Sequence, residues 1–428
     1  MSRLAGLAAV LALPLVTGAT APALSPVQRD VLALGGSFTN AVADIDRDGD
    51  LDLFVGFGGS PNRLYRNERG VLRDAARTLG LDETHAAGLR VPTGAVRQPV
   101  WLDLDGDDDL DLFVAFRDGP NLFFRNDGGR FIEGAASRGL ADARKSVGAS
   151  WADLDADGDL DLVVANQDGD ANGVFRNDGT RFTDTADSVG VAWGGRAPRN
   201  ARNGTVRPCV DDVNGDGALD LFFANYGPNG LFLRDGARYR DVSTAWGIAI
   251  DGRYDACAFA DVDHDGRLDL YVNGTVTGGR NHPDYLFVHD SGRLIDRTPP
   301  DVRALAADHG VVWFDLDGDG ALDLSLTGAE PSGMHLVLRN TTPPATARAL
   351  LVRVVDGRGR ATRAGAEVRV YRAGTRVLLG TRVVDAGSGY NAQNDQPVHI
   401  GVGEARRVDV EVTWPAAGRR IVTWRRNV

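Results

Sequence analysis

The hydrophobic and polar positions of this chain follow one pattern that recurs six times. A short apolar stretch leads into a run of alternating aspartates, and a second apolar stretch follows at once. In the third copy Gly148–Ala152 is small and apolar, residues 153–161 alternate carboxylates with other residues, and Leu162–Val164 is apolar again. Alternation with a period of two predicts a β-strand on each side of the aspartate run.

Most repeats continue with two further strand signals, such as Val174–Asn177 and then Phe182–Ala186. We number the aspartate runs as loops 1 to 6; they begin at Asp44, Asp103, Asp153, Asp212, Asp261 and Asp315, at intervals of 59, 50, 59, 49 and 54 residues. Four short strands per repeat of about 50 residues are typical of a β-propeller blade, which buries its faces only against neighbouring blades. The sequence therefore predicts an all-β fold with a six-bladed propeller; a seven-bladed propeller is the alternative.

The two ends of the repeat region predict how the ring closes. The sixth repeat has no fourth strand signal before Thr341–Pro344, and Gln28–Leu32, ahead of the first repeat, resembles the missing strand. We therefore expect the propeller to span residues 26–344, with the N-terminal strand completing the last blade. Beyond it the aspartate runs stop, and residues 345–428 contain five strand signals of a second all-β domain. We expect that domain to be a small β-sandwich packed on the propeller.

Residues 1–23 have the three parts of a secretory signal peptide: Arg3, an apolar run over residues 4–16, and small residues at 17–21. We expect a secreted, extracellular protein with no membrane span after signal cleavage; a periplasmic location and an uncleaved N-terminal anchor are the alternatives. Export argues against nucleic acid as a partner. In an oxidising compartment Cys209 and Cys257 would either pair or remain two buried thiols.

The aspartate runs have the spacing of a calcium loop. Carboxylates at positions 1, 3, 5 and 9 supply the oxygens that Ca²⁺ prefers, position 7 supplies a backbone carbonyl, and the glycine usual at position 6 makes the sharp turn. We predict about six structural Ca²⁺ ions. The predicted ligand residues are Asp44, Asp46, Asp48, Asp50 and Asp52; Asp103, Asp105, Asp107, Asp109 and Asp111; Asp153, Asp155, Asp157, Asp159 and Asp161; Asp212, Asn214, Asp216, Ala218 and Asp220; Asp261, Asp263, Asp265, Arg267 and Asp269; Asp315, Asp317, Asp319, Ala321 and Asp323.

Two loops depart from this pattern. Asn214 replaces a carboxylate in loop 4, which predicts weaker binding there. Asp108 replaces the glycine of loop 2, and aspartate tolerates the left-handed conformation that the position requires. The formal net charge of −12 equals in magnitude the charge of six Ca²⁺, so we do not expect an acidic surface in the loaded protein.

The Asp-x-Asp-x-Asp-Gly-x-x-Asp units resemble FG-GAP or VCBS-type repeats, the architecture of the integrin α-subunit head. The segments Gly365–Val368, Gly387–Asp395, His399–Gly403 and Trp414–Gly418 resemble the ASPIC and UnbV domain of the cartilage acidic protein family. The resemblance implies a secreted calcium-binding propeller, in a family whose members mostly lack a defined activity.

The function that we expect is adhesion or recognition without catalysis, because no phosphate loop, nucleophile motif or metal-ligating histidine pair is present in the sequence. Two longer inserts, residues 193–203 and 277–285, carry arginine and aromatic residues suited to an extracellular protein or an acidic polysaccharide. The alternative is a polysaccharide lyase or hydrolase, whose candidate residues are Arg280, His282, Tyr285 and His309. Of the other histidines, we expect His264 to be exposed and His399 to hold a turn.

Overall fold

The fold is described from a computed structural model. It describes residues 8–9, 37–43, 45–46, 48, 52–57, 62–68, 71–79, 96–192, 204–277, 279–305, 310–314, 321–327, 336–338, 340, 349–357, 359, 361, 363–387, 397–415 and 418–428. The first strand, β1 (Ala8–Ala9), pairs with the C-terminal part of the chain.

Six antiparallel groups of strands then follow one another, one for each aspartate loop, and each group is a blade; the strands of blades 4 and 5 join in one sheet. Blade 1 contains β2 (Ser37–Ala43), β3 (Asp52–Phe57), β4 (Arg63–Glu68) and β5 (Val71–Asp74), followed by α1 (Ala76–Leu79). Blade 2 contains β6 (Val96–Leu102), β7 (Asp111–Phe116), β8 (Leu122–Asn126) and β9 (Phe131–Glu133), followed by α2 (Ala135–Arg138). Blade 3 contains β10 (Ser146–Ala152), β11 (Asp161–Asn166), β12 (Gly173–Asn177) and β13 (Phe182–Asp184), followed by α3 (Ala186–Val189).

The remaining blades keep this order. Blade 4 contains β14 (Gly204–Asp211), β15 (Asp220–Pro228), β16 (Gly230–Asp235) and β17 (Arg238–Asp241). Blade 5 contains β18 (Asp251–Ala260), β19 (Asp269–Gly274), the hairpin of β20 (Val276–Thr277) and β21 (Arg280–Asn281), and then β22 (Tyr285–Asp290) and β23 (Arg293–Asp296), followed by α4 (Pro300–Arg303). Blade 6 contains β24 (Gly310–Phe314), β25 (Asp323–Thr327) and β26 (Leu336–Leu338).

The predicted six-bladed propeller is thus confirmed. The strand predicted to complete blade 6, Gln28–Leu32, lies outside the described residues. The prediction of a strand over Phe182–Ala186 was too long: the strand ends at Asp184, and Ala186 begins a one-turn helix. Short helices at this place in the blade were missed because four residues are too few for a helical period to be visible.

The hydrophobic core lies between consecutive blades, as stacking requires. A tryptophan two residues before a loop enters the seam on the preceding blade. The Trp101 ring packs edge-on against Phe54, with centroids 6.5 Å apart, and the Trp151 ring packs against Phe113 at 5.3 Å. Both tryptophans are almost fully buried. These edge-to-face contacts add to the apolar area that holds neighbouring blades together.

Strand direction gives the propeller two different faces. Within each described blade, the aspartate loop joins the first strand to the second, so these loops lie together on what we call the loop face. The connection from the second strand to the third, and the connection from one blade to the next, lie at the opposite end, which we call the open face. Backbone bonds pair these connections on the open face, for example from Asn121 N–H to the Asp142 carbonyl and from Asn229 N–H to the Ile250 carbonyl.

Blades 4 and 5 are joined by two features besides core packing. Cys209 in β14 and Cys257 in β18 form a disulfide, which resolves the two possibilities left by the sequence. At the open face, β15 also pairs with β18, so that Tyr226 lies opposite Arg253 and Pro228 opposite Asp251. The two blades consequently form one continuous sheet system.

The C-terminal residues form a small sandwich of two sheets, as predicted. One sheet contains β27 (Ala349–Val354) and β30 (Val398–Gly401), together with β1; the other contains β28 (Glu367–Arg372), β29 (Leu378–Val383), β31 (Val408–Pro415) and β32 (Arg420–Arg425). Valines of both sheets, among them Val352, Val368 and Val410, form one buried core.

The sandwich sits on the loop face of the propeller. The Gly387 carbonyl accepts a hydrogen bond from Gln98 Nε2 (2.7 Å), and Trp151 N–H donates to the Ala386 carbonyl (3.1 Å). Because Gln98 and Trp151 lie on the innermost strands of blades 2 and 3, residues 386–387 reach into the space enclosed by the ring from its loop face. A Cβ on Gly387 would lie 2.1 Å from the Ala149 carbonyl oxygen, so only glycine fits there.

Candidate metal centres

Three of the predicted loops bring their carboxylates together. Ligand oxygens lie within 4.8 Å of one another in three groups of aspartates: Asp103, Asp105 and Asp107; Asp153, Asp155 and Asp161; and Asp261, Asp263 and Asp265. Positions 1 and 3 occur in every group, and either position 5 or position 9 completes it. The predicted ligands Asp44, Asp50, Asp315, Asp317 and Asp319 lie outside the described residues, so loops 1 and 6 are not tested in the same way.

The aspartate at position 9 has a second role that the sequence reasoning missed. One of its oxygens accepts the backbone N–H of loop position 2, and the other accepts a backbone N–H of the third strand of the blade. For Asp161 the donors are Leu154 N–H (3.0 Å) and Asn177 N–H (2.8 Å). The same pair of bonds recurs at Asp52, Asp111, Asp220 and Asp269. This residue therefore fixes the loop to its blade.

In loops 2 to 5, which the structure describes in full, two positions take a left-handed backbone conformation. Position 6 does so as predicted, and Asp108 has φ 69° there, which confirms that aspartate replaces glycine in loop 2. Position 4 is also left-handed, as at Ala156 (φ 63°) and His264 (φ 62°). The prediction that His264 is exposed was wrong: its side chain is buried, with its ring 5.7 Å from that of His399. His264 is buried because the C-terminal sandwich covers loop 5. His399 lies in β30, not in a turn.

The loops hold buried negative charge that the described protein groups only partly compensate. Burial raises the pKa of Asp161 to about 8, although the Asn177 N–H opposes the shift. Burial likewise raises the pKa of Asp111 and of Asp269 to about 8. Burial raises the pKa of Asp153 to about 7 despite the opposing charge of Arg420. A divalent cation would remove this cost, since it holds nearby carboxylates in the ionised form.

The donor set fits Ca²⁺ by a second criterion. Four buried carboxylate oxygens in loops 2, 3 and 5 have no hydrogen-bond partner within the described part of the chain: Asp105 Oδ1, Asp153 Oδ1, Asp155 Oδ1 and Asp261 Oδ1. Buried polar atoms are normally paired, and each exception needs an explanation. Because all four belong to clustered hard-oxygen ligands, the residues present fit a calcium ion.

Loop 4 is built differently in the place where the sequence predicts weaker binding. The Asn214 amide donates to Asp216 Oδ2 (2.8 Å), so one predicted ligand neutralises part of another. In loop 4 the aspartate at position 1 accepts a hydrogen bond from the backbone at position 6, from Gly217 N–H to Asp212 Oδ2 (2.9 Å). The weaker affinity of this loop remains a prediction.

The sandwich contacts the loops through side chains that the sequence reasoning did not single out. Arg363 and Arg420 form ion pairs with the position-1 aspartates of loops 2 and 3, Asp103 and Asp153. Arg369 donates to the Gly217 carbonyl of loop 4 (2.9 Å). The sequence offered no signal for these contacts, because arginine is frequent throughout this chain and nothing local distinguishes these three.

Some of the residues predicted for a catalytic site lie on the open face. His282 is largely buried, and its pKa is lowered by burial and then by the charges of Arg280 and Arg253. Tyr285 stacks on Phe287, with centroids 5.5 Å apart, and Arg303 lies over its ring at 4.8 Å. His309 lies outside the described residues, as does the insert 193–203. None of the helices that the structure describes is long and apolar enough to span a membrane.

Comparison with known proteins finds matches in both the propeller and the sandwich. The family model for the FG-GAP-like repeat matches residues 103–164 and 212–272, and that for ASPIC and UnbV matches residues 357–425. Cartilage acidic protein 1 of Mus musculus is 30% identical over 256 residues, which are 57% of this chain and 38% of the mouse protein. The match thus spans less than half the length of that relative.

Similar solved structures include an Agrocybe aegerita lectin that recognises non-reducing terminal N-acetylglucosamine (TM-score 0.40, 18% identity, 73% of this chain and 82% of the lectin). Another is the rhamnogalacturonan lyase PL11 of Bacillus licheniformis (TM-score 0.32, 13% identity, 72% of each chain). The chain therefore contains FG-GAP-like repeats within a β-propeller and a C-terminal ASPIC and UnbV domain, and it is similar in sequence to cartilage acidic protein 1.

Proposed function

We propose that this chain is an exported, calcium-stabilised propeller that recognises an acidic polysaccharide on its open face, without catalysis. The observation that carries the proposal is the position of the C-terminal sandwich. It covers the loop face, and none of its contacts within the described ranges involves the open-face residues of blades 4 and 5, so we assign the partner to that face. The N-terminal signal pattern and the Cys209–Cys257 disulfide support export, since disulfides persist in oxidising compartments.

Calcium has a structural role in this proposal. With free Ca²⁺ tenfold above Kd, each site adds about 1.4 kcal/mol, so six sites add about 8 kcal/mol. A typical domain has a total stability of roughly 5–15 kcal/mol. The ions therefore belong to the fold, and the position-9 aspartates that fix each loop to its blade support the same role.

The open face of blades 4 and 5 supplies groups that suit carboxylated or sulfated sugars. The Arg253 guanidinium lies 4.7 Å from the centroid of the Tyr226 ring, and the β-ladder between these two residues holds both in place. Arg280 is exposed on the hairpin next to His282. The hairpin is fixed to the next connection by a bond from Asn281 Nδ2 to the Leu305 carbonyl (2.9 Å). Preorganised arginines bind carboxylate and sulfate groups with charge-assisted hydrogen bonds.

The test compares binding of the calcium-loaded protein to heparin, polygalacturonate and a neutral glucan by biolayer interferometry. We expect binding to an acidic polymer that falls at least tenfold in the double variant R253Q/R280Q. The matched control is R293Q, an exposed arginine of the same blade at its opposite end. Equal binding by both variants, or no binding to any acidic polymer, would refute this proposal. Capture of an extracellular protein by the same face would instead support the other partner class.

The catalytic alternative is favoured by one observation. The lowered pKa of His282 keeps its imidazole neutral, beside the positive charges of Arg253 and Arg280. A lyase needs such a base together with a group that neutralises the uronate carboxylate. Formation of unsaturated products from any uronic-acid polysaccharide, lost in H282A, would overturn the non-catalytic proposal.

A further inference from the structure

Two arginines of the C-terminal sandwich reach the same point in two different metal loops. Arg363 Nη1 lies 2.7 Å from Asp103 Oδ2, and its other terminal nitrogen contacts Asp108. Arg420 Nε lies 3.1 Å from Asp153 Oδ2, and its Nη2 donates to Glu367 Oε1 at 2.7 Å. Both aspartates occupy position 1 of their loop, and both are buried.

The surroundings hold both arginines in place. The Arg363 side chain is only 11% exposed, and its guanidinium lies 5.6 Å from the centroid of the Trp414 ring in the sandwich core. Arg420 is anchored by Glu367, whose own side chain is 3% exposed. These contacts differ from surface ion pairs, which lose most of their energy to solvent and side-chain entropy.

The Asp153 carboxylate of loop 3 contacts the arginine through only one of its two oxygens. Asp153 Oδ2 faces Arg420 and also accepts Gly158 N–H at 3.2 Å. Asp153 Oδ1 has no hydrogen-bond partner among the described residues, and Asp153 belongs to the cluster with Asp155 and Asp161. An ion can therefore bind while the arginine stays in place.

In loop 2 a different aspartate carries the carboxylate oxygen that has no hydrogen-bond partner. Asp103 Oδ2 accepts Asp108 N–H (3.1 Å) beside Arg363, and Asp103 Oδ1 accepts Gly106 N–H (2.9 Å). The buried oxygen without a partner is Asp105 Oδ1 in the same cluster. Arg363 therefore contacts the position-1 carboxylate and leaves Asp105 Oδ1 for an ion.

We propose that Arg363 and Arg420 are positioning residues for the metal ligands of loops 2 and 3, and that they couple ion binding to docking of the sandwich. Each holds the position-1 carboxylate in its ligating orientation and adds one positive charge beside four carboxylates that a single Ca²⁺ only half neutralises. Because a coupling between two binding events is reciprocal, Ca²⁺ in these loops also tightens the sandwich against the propeller. Partners of this outer kind typically change metal affinity 10- to 100-fold.

Loop 5 provides an internal comparison. The sandwich also packs there, with Gly401 so close that a Cβ would lie 1.8 Å from Asp261 Oδ2. Within the part of the chain that the structure describes, however, no arginine of the sandwich forms an ion pair with Asp261. Burial raises the pKa of Asp261, and the charge of Arg382, which also belongs to the sandwich, lowers it without a direct ion pair. Loop 5 should therefore bind its ion without a direct arginine contact of the kind seen in loops 2 and 3.

The experiment is a Ca²⁺ titration of the full-length protein followed by peptide-resolved hydrogen exchange. It reads each loop separately, through peptides covering residues 103–111, 153–161 and 261–269. R363Q should shift the Ca²⁺ midpoint of loop 2 about 10- to 100-fold upward, and R420Q should do so for loop 3. Each variant controls for the other, loop 5 should shift least in both, and R407Q, at an exposed arginine of the sandwich, should shift nothing.

The reciprocal readout is protection of the sandwich itself. In the wild type, Ca²⁺ should slow exchange in β28 and β31, and the double variant R363Q/R420Q should lose most of this effect. Unchanged midpoints in both variants would overturn the proposal, and lower midpoints would show that the arginines compete with the ion. If the glutamine variants do not fold, R363K and R420K replace them. Absence of any Ca²⁺ effect on β28 and β31 in the wild type overturns the coupling without a variant.

Discussion

The pH dependence of the calcium-free protein offers a direct test of the buried loop carboxylates. Burial raises the pKa of Asp161 to about 8, against an ordinary value of 3.8. Between these two values the folded protein binds a proton that the unfolded chain has released, so folding takes up protons and stability falls as pH rises. One such group changes the free energy of unfolding by about 1.4 kcal/mol per pH unit, or about 3 kcal/mol from pH 5 to pH 7.

The assay is urea unfolding at several pH values in excess chelator and again in saturating Ca²⁺. In chelator the free energy of unfolding should fall with pH, and D161N should remove about 1.4 kcal/mol per pH unit from that slope. The exposed D187N should leave the slope unchanged. Bound Ca²⁺ keeps the carboxylates ionised and should abolish most of the dependence. A calcium-free stability that rises with pH over this range, or a D161N slope equal to that of the wild type, would refute the reasoning.

Three further predictions concern the ion, the disulfide and the sandwich. Saturating Ca²⁺ should raise the midpoint of thermal unfolding by well over about 10 °C relative to chelator, because six sites add about 8 kcal/mol; an unchanged midpoint in calorimetry would contradict structural calcium. The double variant C209A/C257A should lower the free energy of unfolding in urea by about 4 kcal/mol, since the bridge closes a loop of 48 residues; the reduced wild type should behave alike, and no loss in either would contradict it. G387A should make the sandwich sensitive to limited proteolysis because its Cβ would meet the Ala149 carbonyl, whereas G403A, at a left-handed glycine with open space around it, should not; equal digestion of the two would contradict the role of Gly387.

The repeat was predictable from the sequence because it is written in local spacing. The aspartates at positions 1, 3 and 5 and the turn at position 6 act within a few residues of one another, so their pattern survives without knowledge of the fold. The apolar strands around them have a period of two, and Trp101 and Trp151 mark the same place in consecutive blades. These signals predicted the number of blades and the location of the carboxylate clusters.

The parts that were missed depend on contacts distant in sequence. In the sequence Asp161 looks like one more metal-ligating aspartate. Its hydrogen bond from Asn177 N–H becomes visible only when the third strand is in place. Arg420 lies more than 250 residues from Asp153. His264 was misjudged because its exposure is set by the sandwich and not by its loop. Sequence spacing carries no information on how the two domains meet.

The joint between blades 4 and 5 has a consequence for how the ring opens. In a closed ring of stacked units, local unfolding begins where two neighbours are held most weakly, and the open ends then fray outward. The Cys209–Cys257 bridge and the ladder between β15 and β18 hold this seam covalently and by backbone bonds at the open face. Blades 4 and 5 should therefore separate last. A partly opened ring should then refold from this intact pair of blades.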